Sequence, residues 1–344
     1  MINQDSFGKR VWIGALALVL GLGLLALIWL FARVFAIVIL SIAISAALAP
    51  VVAILSKKLP RIVAMIIVYL VLILILVGLG WLLFPPLISQ AADLVQDIPT
   101  RVEELEQLLR SAGIDFDQST LLDVAASQIS RIGSMIVSLP MAVVSSVLDF
   151  LLLIFISFYG LLEAPRIRRF LRSLFPDEQR QDIIQVLENM TEAMGGYVRG
   201  AVISGLIVGL VTFLGLLIIG VEYAVVLGVL AGALELVPVI GATVAGIVIV
   251  ILTLINTPEK ALMVLVFVIV LQQFESNILT PNIMHRQADI SPLLTIIVLF
   301  AGGTIGGLLG ALVAIPLAAA LKVLVIEVVA PAVRRASGKI DPIE

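Results

Sequence analysis

Seven runs of about 20 mostly apolar residues follow one another along this chain, and a run of that length can cross a bilayer as a helix. The runs lie at about 11–32, 35–55, 62–84, 138–162, 201–219, 239–256 and 261–280. Hydrophobic residues make up 61% of the sequence and charged residues 13%, whereas soluble domains have about 45–50% and about 25%. Because no soluble core could hide this excess, lipid must solvate much of the surface. We therefore predict an all-α fold, a polytopic helical bundle integral to the membrane.

The segment 86–137 has a different composition, which predicts helices outside the bilayer. It carries three arginines and eight acidic residues, namely Asp93, Asp97, Glu103, Glu104, Glu106, Asp115, Asp117 and Asp123. Its apolar residues recur at steps of three and four, the spacing of one helix face, at Leu122, Ala125, Ile129, Ile132 and Ile136. We interpret the segment as two or three extramembrane amphipathic helices.

Basic residues cluster at four places, and their positions predict the orientation of the chain in the membrane. The clusters are Lys9 and Arg10, then Lys57, Lys58 and Arg61, then Arg166, Arg168, Arg169 and Arg172, and finally Arg334, Arg335 and Lys339. All four fall on one side if the spans simply alternate. This arrangement predicts an inner-membrane protein with both termini in the cytoplasm and with the acidic segment on the outside.

The predicted topology divides the chain into six regions. They are a three-span region 1–85, the outer segment 86–137, a fourth span 138–162, a cytoplasmic linker 163–200 with an amphipathic helix, a C-terminal bundle 201–335 and a cytoplasmic tail 336–344. Within the bundle, the regions 222–237 and 290–330 are apolar but interrupted by Pro and Gly, which predicts helical hairpins. We expect Arg199, His285 and Arg286 to lie at the membrane edge.

Several classes of function need residues that this sequence lacks. It has no cysteine and only one histidine, His285, so thiol catalysis and a His- or Cys-based metal site are excluded. It contains neither a G-x-x-x-x-G-K-[ST] phosphate loop nor an H-E-x-x-H metalloprotease motif. A net charge of −3 does not suggest a nucleic-acid partner. We therefore expect no catalytic residues, no cofactor and no bound metal.

Acidic residues inside apolar segments are candidates for a transport path, because a charge at the bilayer centre costs about 2.5–3.5 kcal/mol on insertion scales. Asp149 lies within the predicted fourth span, and Glu235 closely precedes Pro238 and Gly241. Pro238 and Gly241 break the helix and free backbone groups, which are tolerated at membrane depth only inside protein or beside a water-filled cavity. A carboxylate there could bind a cation, a proton or a polar solute. The alternatives are a solvated Glu235 in a surface turn, and for Asp149 one interhelical hydrogen bond or an oligomer contact.

A polar stretch at the end of the run 261–280 supplies further candidates. Gln272 and Glu275 are i, i+3 neighbours on a helix, whereas Gln273 and Asn277 form an i, i+4 pair. Two adjacent polar stripes of this kind are suited to a cavity wall. The alternative is an ordinary polar helix end.

Glycine-rich motifs occur in both interrupted regions. The segments 228–238 and 306–316 both read G-x-L-x-G-A-L-x-x-x-P. Close packing of membrane helices explains such motifs most simply, but paired Gly/Pro-interrupted segments also mark binding sites in secondary transporters. The residues that we assign to hairpins and packing are Gly228, Gly232, Gly302, Gly303, Gly306, Gly307, Gly310 and Pro316.

Five short motifs follow in order through the C-terminal half. They are Tyr197-Val-Arg-Gly200, Glu235-Leu-Val-Pro-Val-Ile-Gly241, Gln273-Phe-Glu-Ser-Asn277 with Pro281, Ile290-Ser-Pro-Leu-Leu294, and Gly306-Gly-Leu-Leu-Gly310 with Ala314-Ile-Pro-Leu317. In these motifs and in the order of its spans, the chain resembles the autoinducer-2 exporter family of bacterial and archaeal transporters. One departure is Ala201, where the family pattern has a glutamine.

The resemblance implies a secondary transporter or exporter of a small solute, driven without ATP and assembled as a homo-oligomer in the lipid bilayer. Family members are associated with a furanosyl signalling molecule in some cases and with sodium–proton exchange in others. Coupling to protons or sodium, and sodium–proton antiport itself, are therefore both open. The alternative from another class is a non-transporting membrane scaffold that assembles through 86–137.

Overall fold

A computed structural model of the chain describes residues 21, 31–82, 85, 89, 148–237, 240–284 and 291–337. The predicted first span 11–32 and the predicted outer segment 86–137 lie almost wholly outside these residues and stay predictions. Throughout the described residues the regular secondary structure is helical. Because long apolar helices account for most of it, the predicted fold class, a polytopic helical membrane bundle, is confirmed.

Six helices in the described part of the chain are long and apolar enough to cross a membrane. The first four are α1 at Ala32–Leu55, α2 at Arg61–Leu82, α3 at Leu148–Leu174 and α4 at Asp177–Ile219. Large apolar side chains remain exposed on their outer faces, for example Leu206 at 70% and Ile218 at 85%. A surface of this kind needs lipid as its solvent.

Helix α4 differs from the prediction, because it joins the predicted cytoplasmic amphipathic helix and the predicted fifth span into one helix of 43 residues. The region 163–200 is interrupted only at Phe175 and Pro176. Packing against segments distant in the chain explains the continuity. Met194 packs with Ala43 and Ala320, and a Cβ atom on Gly195 would lie 2.7 Å from the backbone of Ala46. These contacts hold the glycine-containing stretch in helical form.

Three helices follow the end of α4. α5 spans Ala224–Leu234, α6 spans Ile240–Asn256, and α7 spans Pro258–Phe274 before it continues through a π-helical turn, Glu275–Leu279, into Thr280–Met284. The short connection between α5 and α6 makes them a helical hairpin. Buried side chains of α4, α5, α6 and α7 form one apolar cluster, which includes Val208, Leu216, Leu227, Ile249 and Val264.

Helix α8, Pro292–Leu324, is broken at Gly307, where φ is 59° and ψ is −141°. Glycine adopts this conformation without strain, whereas other residues rarely do. The chain then turns back on itself, so that Gly310 contacts Gly302. After α8 a π-helical segment, Val325–Val329, leads into α9, Ala330–Ser337.

The chain divides into two compact units, each assembled from separated segments. The first unit contains the described residues within Met1–Ala47, Ile156–Val198 and Ala288–Glu344. The second contains those within Leu48–Phe155 and Arg199–Gln287. The α5–α6 hairpin and α7 therefore belong to the second unit, and the α8 hairpin belongs to the first.

Candidate functional site

Two glycine pairs bring α4 and α5 into close contact, and this contact positions the candidate site. Gly205 and Gly209 lie on α4, and Gly228 and Gly232 lie on α5. A Cβ atom on Gly205 would lie 2.5 Å from the carbonyl oxygen of Gly232, and one on Gly209 would lie 2.9 Å from that of Gly228. Larger side chains would push the helices apart, since membrane helices approach this closely only through small residues.

Glu235 is held next to this glycine contact by a serine of α4. The Ser204 hydroxyl donates a hydrogen bond of 3.2 Å to Oε1 of Glu235, and both residues are only 3% exposed. The second carboxyl oxygen, Oε2, has no hydrogen-bond partner among the described residues. An unpaired buried polar atom is costly, so a proton or a ligand that binds to this oxygen would lower the free energy of the site.

A tight turn after α5 fixes where Glu235 points. Glu235 directly follows the last residue of α5, and Gly241 lies near the start of α6. The N–H of Gly241 donates to the carbonyl oxygen of Val237 over 2.8 Å. A Cβ atom at Gly241 would collide with the carbonyl oxygen of Leu234. Only glycine fits there, so Gly241 keeps the turn compact. Pro238 lies outside the described residues.

Glu275 meets Glu235 from the opposite helix. It is 7% exposed and begins the π-helical turn of α7. Such a turn inserts an extra residue into a helix, which redirects side chains and is frequent at functional sites. The carboxyl groups of Glu235 and Glu275 lie within hydrogen-bonding reach of each other. Because an ionised carboxylate only accepts hydrogen bonds, a hydrogen bond between the two requires a proton on one of them.

The other polar residues of α7 are divided between two environments. Gln272 is half-buried, and its Nε2 would lie 3.2 Å from a Cβ atom on Gly246 of α6. Gln273 and Asn277 are exposed, and the Asn277 side chain donates to the carbonyl oxygen and to Oε1 of Gln273 at 2.9 and 3.0 Å. Gln272 therefore borders the packed interior beside Glu275, whereas Gln273 and Asn277 pair with each other on the surface.

The remaining predicted polar residues are Asp149 and the three residues assigned to the membrane edge. Asp149 is half-buried near the first described residue of α3. The Glu235 carboxyl interacts with Ser204 and Glu275. Arg199 is half-buried within the continuous helix α4, and its assignment to the membrane edge stays a prediction. His285 and Arg286 lie outside the described residues, so their assignment to the membrane edge stays a prediction.

The predicted packing residues of the α8 hairpin fall into two groups. A Cβ atom on Gly310 would collide with the carbonyl oxygen of Gly302, and the converse also holds. By contrast, Cβ atoms on Gly303, Gly306 and Gly307 would meet no atom of the described residues within 4 Å. Pro316 is fully buried within the second half of α8. One glycine pair therefore closes the hairpin, and its other three glycines are not packed against any of the described residues.

Sequence reasoning missed three features of the site. Ser204 was not singled out, although it is the hydrogen-bond donor to Glu235. Gly205 and Gly209 were also missed, although their i, i+4 spacing matches that of Gly228 and Gly232 and could have predicted a glycine–glycine contact. The fully buried hydroxyl of Thr212, which has no hydrogen-bond partner among the described residues, gave no signal in the sequence.

Comparisons with known proteins identify relatives over most of the chain. The YueF protein of Bacillus subtilis (strain 168) is 26% identical over 81% of this chain and 80% of its own length. YrrI of the same organism is 27% identical over 87% and 88%. The AI-2 transport protein TqsA of Escherichia coli (strain K12) is 30% identical over 66% and 65%. The model of the AI-2E family transporter matches residues 18–330. The chain therefore belongs to the AI-2E transporter family and is a multi-pass membrane transporter.

Proposed function

We propose that this chain is a proton-coupled secondary transporter of a small solute, with Glu235 and Glu275 as its coupling site. The observation that carries the proposal is the contact between two buried carboxyl groups, one of which has an oxygen without a donor. Acidic residues inside membrane bundles commonly form proton relays and ion paths because burial makes their charge expensive. A single proton shared by the two groups lowers this cost, and its release changes the local charge.

The same geometry suits exchange with a second ligand. Loss of the shared proton leaves two carboxylates close together, and a cation or a solute that donates hydrogen bonds can replace it. Binding of the proton and binding of the ligand are then mutually exclusive, which is the requirement for coupled exchange. Sodium is one such ligand, in which case the chain works as a sodium–proton antiporter.

The identity of the transported solute is the second part of the proposal. The relative TqsA carries the name AI-2 transport protein, so AI-2 is the first organic solute to test. Ser204 and Gln272 supply hydrogen-bonding atoms near the carboxyl pair. A small polar molecule rich in hydroxyl groups fits this chemistry.

Proteoliposomes with an internal pH-sensitive dye test the function directly. With a pH gradient imposed, we expect that addition of AI-2 or of sodium causes proton movement that protein-free vesicles do not show. The reverse experiment measures uptake of labelled AI-2 or sodium and should depend on the pH gradient. An uptake rate that is the same with and without the pH gradient would contradict proton coupling. Absence of all flux from folded protein would favour a scaffold that acts through 86–137.

The orientation of the chain is a separate prediction. The basic clusters predict that both termini and the region 163–200 lie in the cytoplasm, with 86–137 outside. Because the native chain has no cysteine, a single cysteine at Asp115 or at Ser173 is the only thiol in each variant. In intact cells a membrane-impermeant thiol reagent should label the Asp115→Cys variant and spare the Ser173→Cys variant. The opposite pattern would invert the orientation.

A further inference from the structure

Thr212 of α4 carries a polar group that packing alone does not explain. Its side chain is completely buried, and its hydroxyl oxygen has no hydrogen-bond partner among the described residues. A threonine inside a helix ordinarily donates to the carbonyl oxygen one turn before it, as Thr253 does to Ile249 over 2.8 Å. Because a buried, unpaired hydroxyl destabilises a fold, each such group in a protein calls for a separate explanation.

Thr212 lies on the same face of α4 as Ser204, the residue that donates a hydrogen bond to Glu235. Ser204, Val208, Thr212 and Leu216 follow one another at steps of four and are all buried, so they share the inward face of α4. Thr212 therefore lies about 12 Å along the helix from Ser204, on the side remote from Glu235. A Cβ atom on Gly228 of α5 would contact both Gly209 and Phe213, which places Thr212 level with Gly228.

A small pocket opens near this level of the second unit. Glu222, Leu227, Thr253 and Thr257 contribute to its lining, and Leu227 directly precedes Gly228. Between the pocket and the carboxyl pair lies the apolar cluster, whose members at this depth include Val208, Ala231, Ala245 and Ile249. The cluster separates two polar regions of the unit, and Thr212 is a hydroxyl group embedded within it.

We propose that Thr212 is a step on the transport path, where its hydroxyl binds water when the apolar cluster opens between the carboxyl pair and the pocket. The inference rests on the proposed function, because it assigns Thr212 to a path that leads to Glu235 and Glu275. In the closed arrangement the hydroxyl lacks a partner, and in the open arrangement water supplies one. The unpaired hydroxyl raises the free energy of the closed state relative to the open state, which favours opening.

Cysteine accessibility tests this inference without knowledge of the solute. We expect the permanently charged thiol reagent MTSET to label the Thr212→Cys variant in proteoliposomes under an imposed pH gradient. The matched control is Leu206→Cys, on the outward face of the same helix, where the apolar Leu206 side chain is 70% exposed. A charged reagent does not enter hydrocarbon, so this thiol should stay unlabelled. If the Thr212→Cys thiol also stays unlabelled, no aqueous path passes this residue and the inference is overturned.

Two further substitutions separate a path residue from a structural one. Thr212→Val keeps the shape and removes the hydroxyl, whereas Thr212→Ser keeps the hydroxyl. We expect Thr212→Val to have a Tm equal to or above that of the wild type and a proton flux roughly fivefold lower, the change that loss of one ordinary hydrogen bond produces. Thr212→Ser should restore the flux. Normal flux in Thr212→Val, or a parallel loss of Tm and flux that Thr212→Ser repairs, overturns the inference.

The two proposals can fail separately. If Thr212→Cys is unlabelled while substitution of Glu235 still impairs proton flux, the carboxyl site stands and only the path through Thr212 is lost. If Thr212→Cys is labelled while substitution of Glu235 leaves flux unchanged, the path stands and the proposed coupling site is wrong.

Discussion

In the Glu235→Gln variant we expect solute-coupled proton flux to fall by about ten- to a hundredfold while the protein folds and inserts normally. Gln keeps the shape of Glu235 and can still accept the Ser204 hydrogen bond, but it cannot exchange a proton. A hydrogen bond to a charged group contributes about 1.5–3 kcal/mol, which corresponds to about this range of binding constants. The measurement is the initial rate of proton movement in proteoliposomes at several pH values.

The matched control for this variant is Glu259→Gln, which removes an exposed carboxylate from the first turn of α7 in the same unit. Its flux and pH dependence should equal those of the wild type. Glu275→Gln should reproduce the loss in Glu235→Gln, because a shared proton needs both carboxyl groups. The double variant should be little worse than either single variant, since the two groups act as one unit. Normal flux in Glu235→Gln, in folded protein, would remove Glu235 from the mechanism.

The fold class follows from the sequence because hydrophobic length is a local property. Each run of about 20 apolar residues is enough by itself to identify one membrane-spanning helix. The Gly/Pro-broken regions were recognisable for the same reason: α5 ends at Leu234, shortly before Pro238, and α8 breaks at Gly307 inside its glycine cluster. These features are local in sequence, so one sequence suffices to predict them.

The continuity of α4 was not predictable from local composition. The change from an amphipathic to an apolar pattern near Gly195 and Gly200 suggested two elements, and glycine lowers helix propensity by about 1 kcal/mol relative to Ala. Contacts from segments distant in the chain outweigh that preference, since Ala46 packs directly against Gly195. Tertiary contacts of this kind leave no trace in the pattern of the helix itself.

The carboxyl site also depends on tertiary contacts that the sequence pattern does not reveal. Glu235 and Glu275 could each be identified as buried acids, because charge is rare in apolar sequence. Their contact with each other could not, since they lie 40 residues apart and meet only because α4, α5 and α7 pack together. The π-helical turn that redirects Glu275 has no signature in its residues, Glu275–Leu279. Ser204 is one of many serines in the spans until the fold brings it to Glu235.

The α8 hairpin offers a second prediction with a large effect and an unusually close control. In Gly302→Ala the new Cβ atom collides with the carbonyl oxygen of Gly310 and lies 2.9 Å from the Ala314 Cβ atom. In Gly303→Ala the new Cβ atom meets no atom of the described residues within 4 Å. Both changes bring the same gain in helix propensity, about 1 kcal/mol. Any difference between the two variants therefore reports the collision, and forced overpacking costs about 1–3 kcal/mol.

We expect Gly302→Ala to lower the Tm in detergent and to reduce transport, because the two halves of α8 can no longer approach each other. Gly303→Ala should match or exceed the stability of the wild type. Thermal unfolding and proteoliposome flux, measured on both variants, test whether the contact between Gly302 and Gly310 closes the hairpin. If both show wild-type stability, the hairpin tolerates separation of its halves, and the glycine pair is not what closes it. If Gly303→Ala alone loses transport at normal Tm, the open glycine face of the tip, rather than the packed one, takes part in the transport cycle.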